Sequence, residues 1–423
     1  MITLEKYIKQ SPEVKNKIDW YEVDDQRYVV LKKNFQLKLL RKAIRNIGSQ
    51  SKLAKFLKKS ESQIRNYKKG KSRRLTVGTL KRLAEIAKIS YKKIRENIVC
   101  LGGIVNPKLP FNMGSIEGIK IRAKFLSDGY NVSNPNFNVG YVEGNKEASL
   151  NLLSSIQKLI GYLKGEYGQP KKVGNAFKIT LPPVFGDILK LSGVPRGRRG
   201  VINPTIPKDI LQGNVSNQIT YLREVFTDEG CVEFSNKYRV ISLNRNVIVC
   251  NYLKKGLNLP QGKIIPFKKL PGDLQRKLKT HLPKLILGEY LLLKKLGIKC
   301  KLEPKWVRVN KDGSISLNWK LSISRKRNLL VFQKLINFST KEKREKLDEI
   351  IKTYSPRTEY GFGYERALAA ANALTQKEGF FTSKLLSKEL SITSRHTQRY
   401  IKKMLEKKDV IKLEGWKYAT NPH

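Results

Sequence analysis

The sequence predicts a multi-domain α+β chain, with a central, internally duplicated region between a helical segment and a small helix-and-hairpin segment. Three observations predict it. At 423 residues the chain exceeds the size of one ordinary domain. Apolar residues at helical spacing dominate near both ends, whereas long period-two alternation belongs to the middle. Two similar helical stretches, GIKIRAKFLSDGYNV and QITYLREVFTDEGCVEF, each end in an acid followed by glycine, and Gly129 and Gly230 stand 101 residues apart.

Charge narrows the partners before any motif is read. Lys and Arg number 85 against 35 Asp and Glu, a formal charge of +50. The excess is +19 over 1–110, +25 over 111–359 and +6 over 360–423, so every part of the chain is basic. Self-repulsion of that size is tolerated when a polyanion is the partner, and double-stranded DNA is the expected one. Thermophile-style enrichment would add Glu alongside Lys, and it is not matched here. A hydrophobic share of 40% still permits packed cores. No run approaches 18 uncharged apolar residues and MITLEKYIKQ lacks a signal-peptide core, so no membrane partner is expected. The expected location is cytoplasmic, in association with a prokaryotic nucleoid. Cys100, Cys231, Cys250 and Cys300 are scattered without a CxxC, which speaks against disulfides and zinc ribbons alike.

Residues 1–34 form an N-terminal extension in which WYEVDDQRYVVLK suggests a small hairpin. Residues 35–105 then read as helices. Leu39, Leu40, Ala43, Ile44 and Ile47 share one helical face that Gly48 closes. Leu53, Ala54 and Leu57 mark a second helix, Ser60 is placed to cap a third anchored by Ile64 and Tyr67, and Gly70 ends it. Small Ala54 lets two helices cross closely. The run SQSKLAKFLKKSESQIRNYKKGKS resembles the Cro/repressor-type helix-turn-helix. That resemblance makes 60–69 the recognition helix, with Gln63, Arg65 and Asn66 among the base readers and Lys68, Lys69, Arg73 and Arg74 on phosphates.

The central segment carries the chemistry. Beyond its two acid-Gly stretches it contains LSGVPRGRRGVINPTIPKDI and NWKLSISRKRNLLVFQKLINFSTKEKREKLDEI. Together these resemble the LAGLIDADG (DOD-type) homing endonucleases over roughly 111–355. The resemblance implies a pseudo-twofold αββαββα double repeat, with repeat 1 at 111–215 and repeat 2 at 216–358, in a monomer with internal symmetry. It also implies that Asp128 and Glu229, the acids before the two glycines, are catalytic and hold Mg²⁺ or Mn²⁺ against the scissile phosphates. Arg198, Arg199 or Lys320 would then stabilise transition-state charge. The second stretch departs from the family pattern, with Glu224 at the small mid-motif position (Ala123 in the first copy) and Thr227-Asp228 before Glu229.

Strand patterning supplies an independent reading. Ile315, Leu317, Trp319, Leu321 and Ile323 alternate with Ser316, Asn318, Lys320 and Ser322, as in a half-buried strand. Arg308 and Asn310 sit out of phase with Val307 and Val309, and Lys237, Arg239 and Arg245 share one phase of EFSNKYRVISLNRN. Side chains at two-residue spacing can follow base edges in a major groove, so Lys237, Arg239, Arg245, Arg308, Asn318 and Lys320 are DNA-binding candidates.

Residues 360–423 close the chain. Thr382 or Ser383 opens a helix holding Leu385, Leu386 and Leu390, and Thr393 or Ser394 opens another with Ile401, Met404 and Leu405 inward. Val410, Leu413, Trp416 and Tyr418 around Glu414-Gly415 suggest a hairpin wing. The segment resembles a winged helix, whose exposed face would offer Arg395, Gln398, Arg399 and Lys402 to DNA.

The expectation is a site-specific, divalent-metal-dependent DNA endonuclease that hydrolyses phosphodiesters in double-stranded DNA. The alternative is a DNA-binding transcription regulator of the same architecture that does not cleave.

Overall fold

The computed structural model describes residues 3–70, 74–132, 134, 139–234, 239–249, 262–354, 363–390 and 392–421. It is a mixed α+β chain in two compact units, Met1–Ser324 with Val331–Arg344 and Arg325–Leu330 with Glu345–His423.

In the first unit the helix Leu4–Gln10 starts on Thr3, whose hydroxyl accepts from the Lys6 amide. Tyr7 on that helix is buried. Its hydroxyl donates to the Lys284 carbonyl at 2.8 Å and accepts from the Ile206 amide at 3.1 Å. Gly288 allows this approach, because a Cβ there would stand 2.6 Å from the hydroxyl oxygen. The hairpin expected in WYEVDDQRYVVLK does not form. Trp20 is fully buried, and Tyr28–Leu31 pairs instead with Arg74–Thr76 on one side and Ile98–Leu101 on the other. Those partners are too distant in sequence for local alternation to reveal.

Helices follow over Lys33–Ile47, Gln50–Leu57, Glu61–Lys68, Val77–Ala87 and Tyr91–Arg95. The segment is not all-α as expected. Its helices accompany a five-stranded sheet ordered Arg74–Thr76, Tyr28–Leu31, Ile98–Leu101, Ile104–Val105, Tyr162–Leu163. The last strand comes from the central region, so sheet pairing joins the two. A buried ion cluster does the same, since Asp187 binds both Arg27 and Arg196.

The helices Ile116–Ser127 and Val215–Glu229 pack against each other. Arg122 is fully buried between them and their neighbours, and donates two hydrogen bonds to Asp209 at 2.8 and 2.7 Å and one to the Ser192 carbonyl. The bulky Glu224 is also buried. It lies 3.4 Å from Lys124 and accepts from the Ser339 hydroxyl at 3.1 Å, which compensates its burial.

The two halves are unequal among the described residues. The first has a three-stranded sheet ordered Val139–Glu143, Ala176–Leu181, Lys171–Val173. The second has five strands, ordered Cys231–Phe234, Arg239–Val249, Ile315–Ile323, Cys300–Val309, Ile264–Pro266, antiparallel throughout. Two matched halves are therefore not what the structure displays. One face of the larger sheet buries Ile241, Leu243, Val247, Leu317, Leu321 and Ile323, and the helix Lys284–Lys295 packs on this sheet. Phe226, Phe332 and Phe338 close the base of the second long helix in a chain of ring contacts.

The second unit contains helices Tyr364–Glu378, Ser383–Leu390 and Ser394–Glu406, with a small sheet ordered Phe381–Thr382, Lys417–Thr420, Val410–Lys412. Its core gathers Ala367, Ala371, Phe381, Leu386, Ile401, Met404 and Val410. Alanines at 367 and 371, one helical turn apart, present little bulk where the other elements press on the first helix.

Candidate nucleic-acid interface

The best-formed presentation of polar side chains is the helix pair Gln50–Leu57 and Glu61–Lys68. Ser49 caps the first, and Lys58 turns the chain in the left-handed region, at φ 53°. Ser60 opens the second with a reciprocal cap, its hydroxyl accepting from the Gln63 amide while the Gln63 side chain accepts from the Ser60 amide. Leu53, Ala54, Leu57, Ile64 and Tyr67 are buried. Gln63, Arg65, Asn66, Lys68 and Lys69 are all exposed. The Gln63 carbonyl oxygen is engaged by the cap, which leaves its NH₂ group for a base edge. Arg74 is exposed, with its guanidinium 5.2 Å from the Tyr28 ring centroid. Arg73 lies outside the described residues.

The five-stranded sheet presents a polar face different from the expected one. Arg245 shares the strand phase of Ile241, Leu243 and Val247 and is buried. It cannot reach a groove from there. Arg239 is half-buried on the same phase, and Lys237 lies outside the described residues. Asn244 and Asn246, one position off that phase, are the exposed side chains of this strand. Asn318 is on the polar face, yet buried between its register neighbours Asn246 and Trp306. It donates to Asn246 at 2.9 Å and so acts within the sheet. Lys320 is held by Glu233, while Arg308 is exposed.

The helix-end acids are surrounded by cations. Asp128 is exposed, has no ion-pair partner among the described residues, and borders a cavity of about 810 Å³ that Lys124 and Asp228 also line. Glu229 opens instead on a separate cavity of about 280 Å³ with Arg198, Arg199, Asn244 and Asn246. The acids still sense one another, because the charge on Asp128 helps to raise both Asp228 and Glu229. Arg245 donates to Glu229 and, at 2.7 Å, to the fully buried Glu289. Asp228 uses one oxygen for Lys124 at 2.7 Å and the other for the Tyr141 hydroxyl at 2.9 Å. Burial pushes the Asp228 carboxyl up to about 6 in spite of Lys124. It pushes Glu229 up to about 7 in spite of Arg245 and Arg199.

This set of residues does not suit the expected Mg²⁺ or Mn²⁺. A divalent ion needs several free oxygens, and of the helix-end acids Asp128, Asp228 and Glu229 the last two already carry ion-pair partners. To bind Glu229 together with Asp128 it would have to displace the Arg245 guanidinium. No group of three His, Cys, Asp or Glu placed to hold a metal occurs among the described residues.

Sequence reasoning left Asp228 without a role and did not bring Lys124, Tyr141 or Glu289 to the site. Tyr141 and Lys124 lie 87 and 104 residues from Asp228, and Glu289 lies 44 from Arg245, so no local spacing carries the signal.

In the second unit Arg395, Gln398, Arg399 and Lys402 are exposed along Ser394–Glu406. Thr397, Ile401 and Met404 form its buried side. Thr393 is the residue before the helix, and its hydroxyl lies 3.1 Å from His396 Nδ1.

Comparison with known proteins corrects the family resemblance. No family model matches the chain, and no curated protein matches it. Among solved structures the chain is similar to full-length DUF199/WhiA from Thermatoga maritima, with 13% identity and a TM-score of 0.32 over 71% of this chain and 93% of that one. With no family model and no curated protein matching the chain, the LAGLIDADG resemblance stated above is not upheld. Acid-glycine helix ends also arise from ordinary helix termination, and two of them spaced along a basic chain do not define a nuclease family. No helix among the described residues is long and apolar enough to cross a membrane.

Proposed function

We propose that this chain is a DNA-binding regulator that grips duplex DNA through two helix-presenting modules and does not cut it. One observation carries the reading, namely how the cations are distributed. Those beside the helix-end acids (half-buried Lys124, buried Arg245) are engaged by them, whereas Arg65, Lys68, Lys69, Arg395 and Arg399 stand exposed at two separate helices. Exposed guanidinium and ammonium groups on a short amphipathic helix are what phosphate contact and major-groove readout require. Glu229 already has Arg245 as its ion-pair partner, so a metal ion would have to displace that guanidinium.

Two linked modules raise each other's effective concentration on one duplex, so moderate contacts in each add up to tight binding. The test selects bound fragments from a random duplex library, then incubates the enriched fragment with the protein in Mg²⁺ or Mn²⁺. Retarded but intact duplex is the expected outcome. Nicks that depend on the protein and the ion would refute the non-cleaving half of the proposal, and failure to enrich any duplex would refute the whole.

A further inference from the structure

The central region holds a half-buried arginine whose charge its own fold leaves unmet. Arg199 stands on a turn entered through Gly197, whose φ is +108° and whose amide donates to the Asn131 carbonyl at 2.6 Å. Gly200 lets the turn lie against the larger sheet, since a Cβ there would stand 3.1 Å from Ile248 Cγ1. Arg199 makes no ion pair among the described residues, and its buried Nη1 finds no hydrogen-bond partner. The acid it senses most strongly, Glu229, is already held by Arg245. Burial therefore pulls the Arg199 guanidinium below the ordinary arginine range. A desolvated and unsatisfied cation is costly, and an anion arriving from outside would offset that cost.

Two cavities share this turn as a wall, and their linings differ. In the cavity of about 280 Å³, Arg198 and Arg199 are joined by Asn246, whose carbonyl oxygen is taken by Asn318 so that its NH₂ group is left over. The Ser316 hydroxyl there is tied to Asn310, and the Asn203 amide to Lys284 and Leu282. What remains is a set of N–H donors with two guanidinium charges, which fits an anion rich in acceptor oxygens, as a phosphate is. The second cavity, of about 330 Å³, sets the same two arginines opposite Phe125, Leu126, Tyr130 and Pro195. That wall suits a flat apolar group. Phosphate and flat body together are the chemistry of a nucleoside monophosphate, and pockets of a few hundred cubic ångströms suit ligands of this kind. The phosphates of a duplex are matched instead by exposed cations such as Lys68, because a stiff double helix cannot follow a half-buried guanidinium into a cavity.

We infer that the Gly197–Gly200 turn is the binding site of a soluble phosphate monoester of nucleoside-monophosphate size. Arg198 and Arg199 hold its phosphate, and the wall of Phe125 and Tyr130 takes its flat group. The site stands apart from the DNA-binding reading above, which uses none of these residues. The full chain is titrated by calorimetry at fixed ionic strength with adenosine, guanosine, cytidine and uridine monophosphates, with the matching nucleosides, with inorganic phosphate and with sulfate. At least one monophosphate should bind once per chain and more tightly than phosphate alone, while its nucleoside fails to bind. Arg199→Gln should weaken that binding about tenfold or more, with part of it kept by Arg199→Lys. Arg198→Gln, at an exposed position where folding is not at stake, should weaken it as well, and Lys68→Gln should leave it unchanged. Absence of binding by every monophosphate would overturn the inference. So would sulfate and monophosphates binding alike at many sites, which is diffuse attraction to a basic surface. Duplex affinity that falls in Arg199→Gln while no monophosphate binds the native protein would overturn it in favour of a DNA-backbone contact. A native protein that binds a monophosphate but no duplex would leave this site standing and refute only the regulator reading.

Discussion

Arg245 binds Glu229, the acid that ends one of the two packed central helices, and with the same guanidinium binds Glu289 on a helix packed against the larger sheet. The pairing joins strand to helix end and turns an apparent catalytic carboxylate into part of a buried ionic network. Its cost and its benefit are both large, because desolvation penalises each charge while the low dielectric strengthens their attraction.

Replacing Arg245 by Met should therefore destabilise the fold strongly. Glu229 and Glu289 would be left without their shared cation, a loss of about 3–5 kcal/mol. Urea denaturation followed by circular dichroism measures it. Adding Glu289→Gln to that variant should recover part of the loss, and no recovery would mean that packing, not charge, was lost.

The raised carboxyls give stability a definite pH dependence. Unfolded, Asp228 and Glu229 titrate near their ordinary 3.8 and 4.5, and folded near about 6 and about 7. Between those limits the folded chain holds protons that the unfolded chain has released. Stability should accordingly fall as pH rises through about 4 to 7 and level off above. The fall should be shallower in Glu229→Gln, and an equal slope in both proteins would contradict the assignment.

Lys68, Lys69, Arg395 and Arg399 should each account for about one released counterion. Alanine at any one of them should weaken binding to all duplexes alike and reduce the slope of log affinity against log salt by about 0.9. Arg65→Ala and Asn66→Ala should instead relax sequence preference, read out as a broader set of enriched fragments. A uniform loss in those two would reassign them to the backbone.

Ser60→Ala removes one half of the reciprocal cap on the helix Glu61–Lys68. The expected cost is about 1 kcal/mol, together with faster amide exchange in the first turn of Glu61–Lys68.

Asp128→Asn is predicted to leave duplex binding within a few-fold, since Asp128 is exposed and without an ion pair among the described residues. It should produce no change in the state of bound DNA with Mg²⁺ present. Loss of a cutting activity in this variant would restore the nuclease reading.

Much of the local structure was legible in the chain itself. Ser60 as a cap, the apolar faces around Leu53 and Ile64, the helix through Ile401 and Met404, and the strand from Ile315 to Ile323 all follow from short-range rules of capping and periodicity. The basic surplus in every segment, and with it the expectation of a polyanionic partner, is likewise a property of composition. What only the tertiary structure decided is which charges are available. Arg245 and Arg308 look alike in sequence, yet strand phase turns one toward Glu289 and leaves the other exposed. Asp228 and Glu229 look like free acids until Lys124 and Arg245 arrive from elsewhere in the chain. Capping and periodicity act over a few residues, so sequence carries them. The pairing of buried charges depends on which distant segments fold into contact, and that is settled only when the chain has packed.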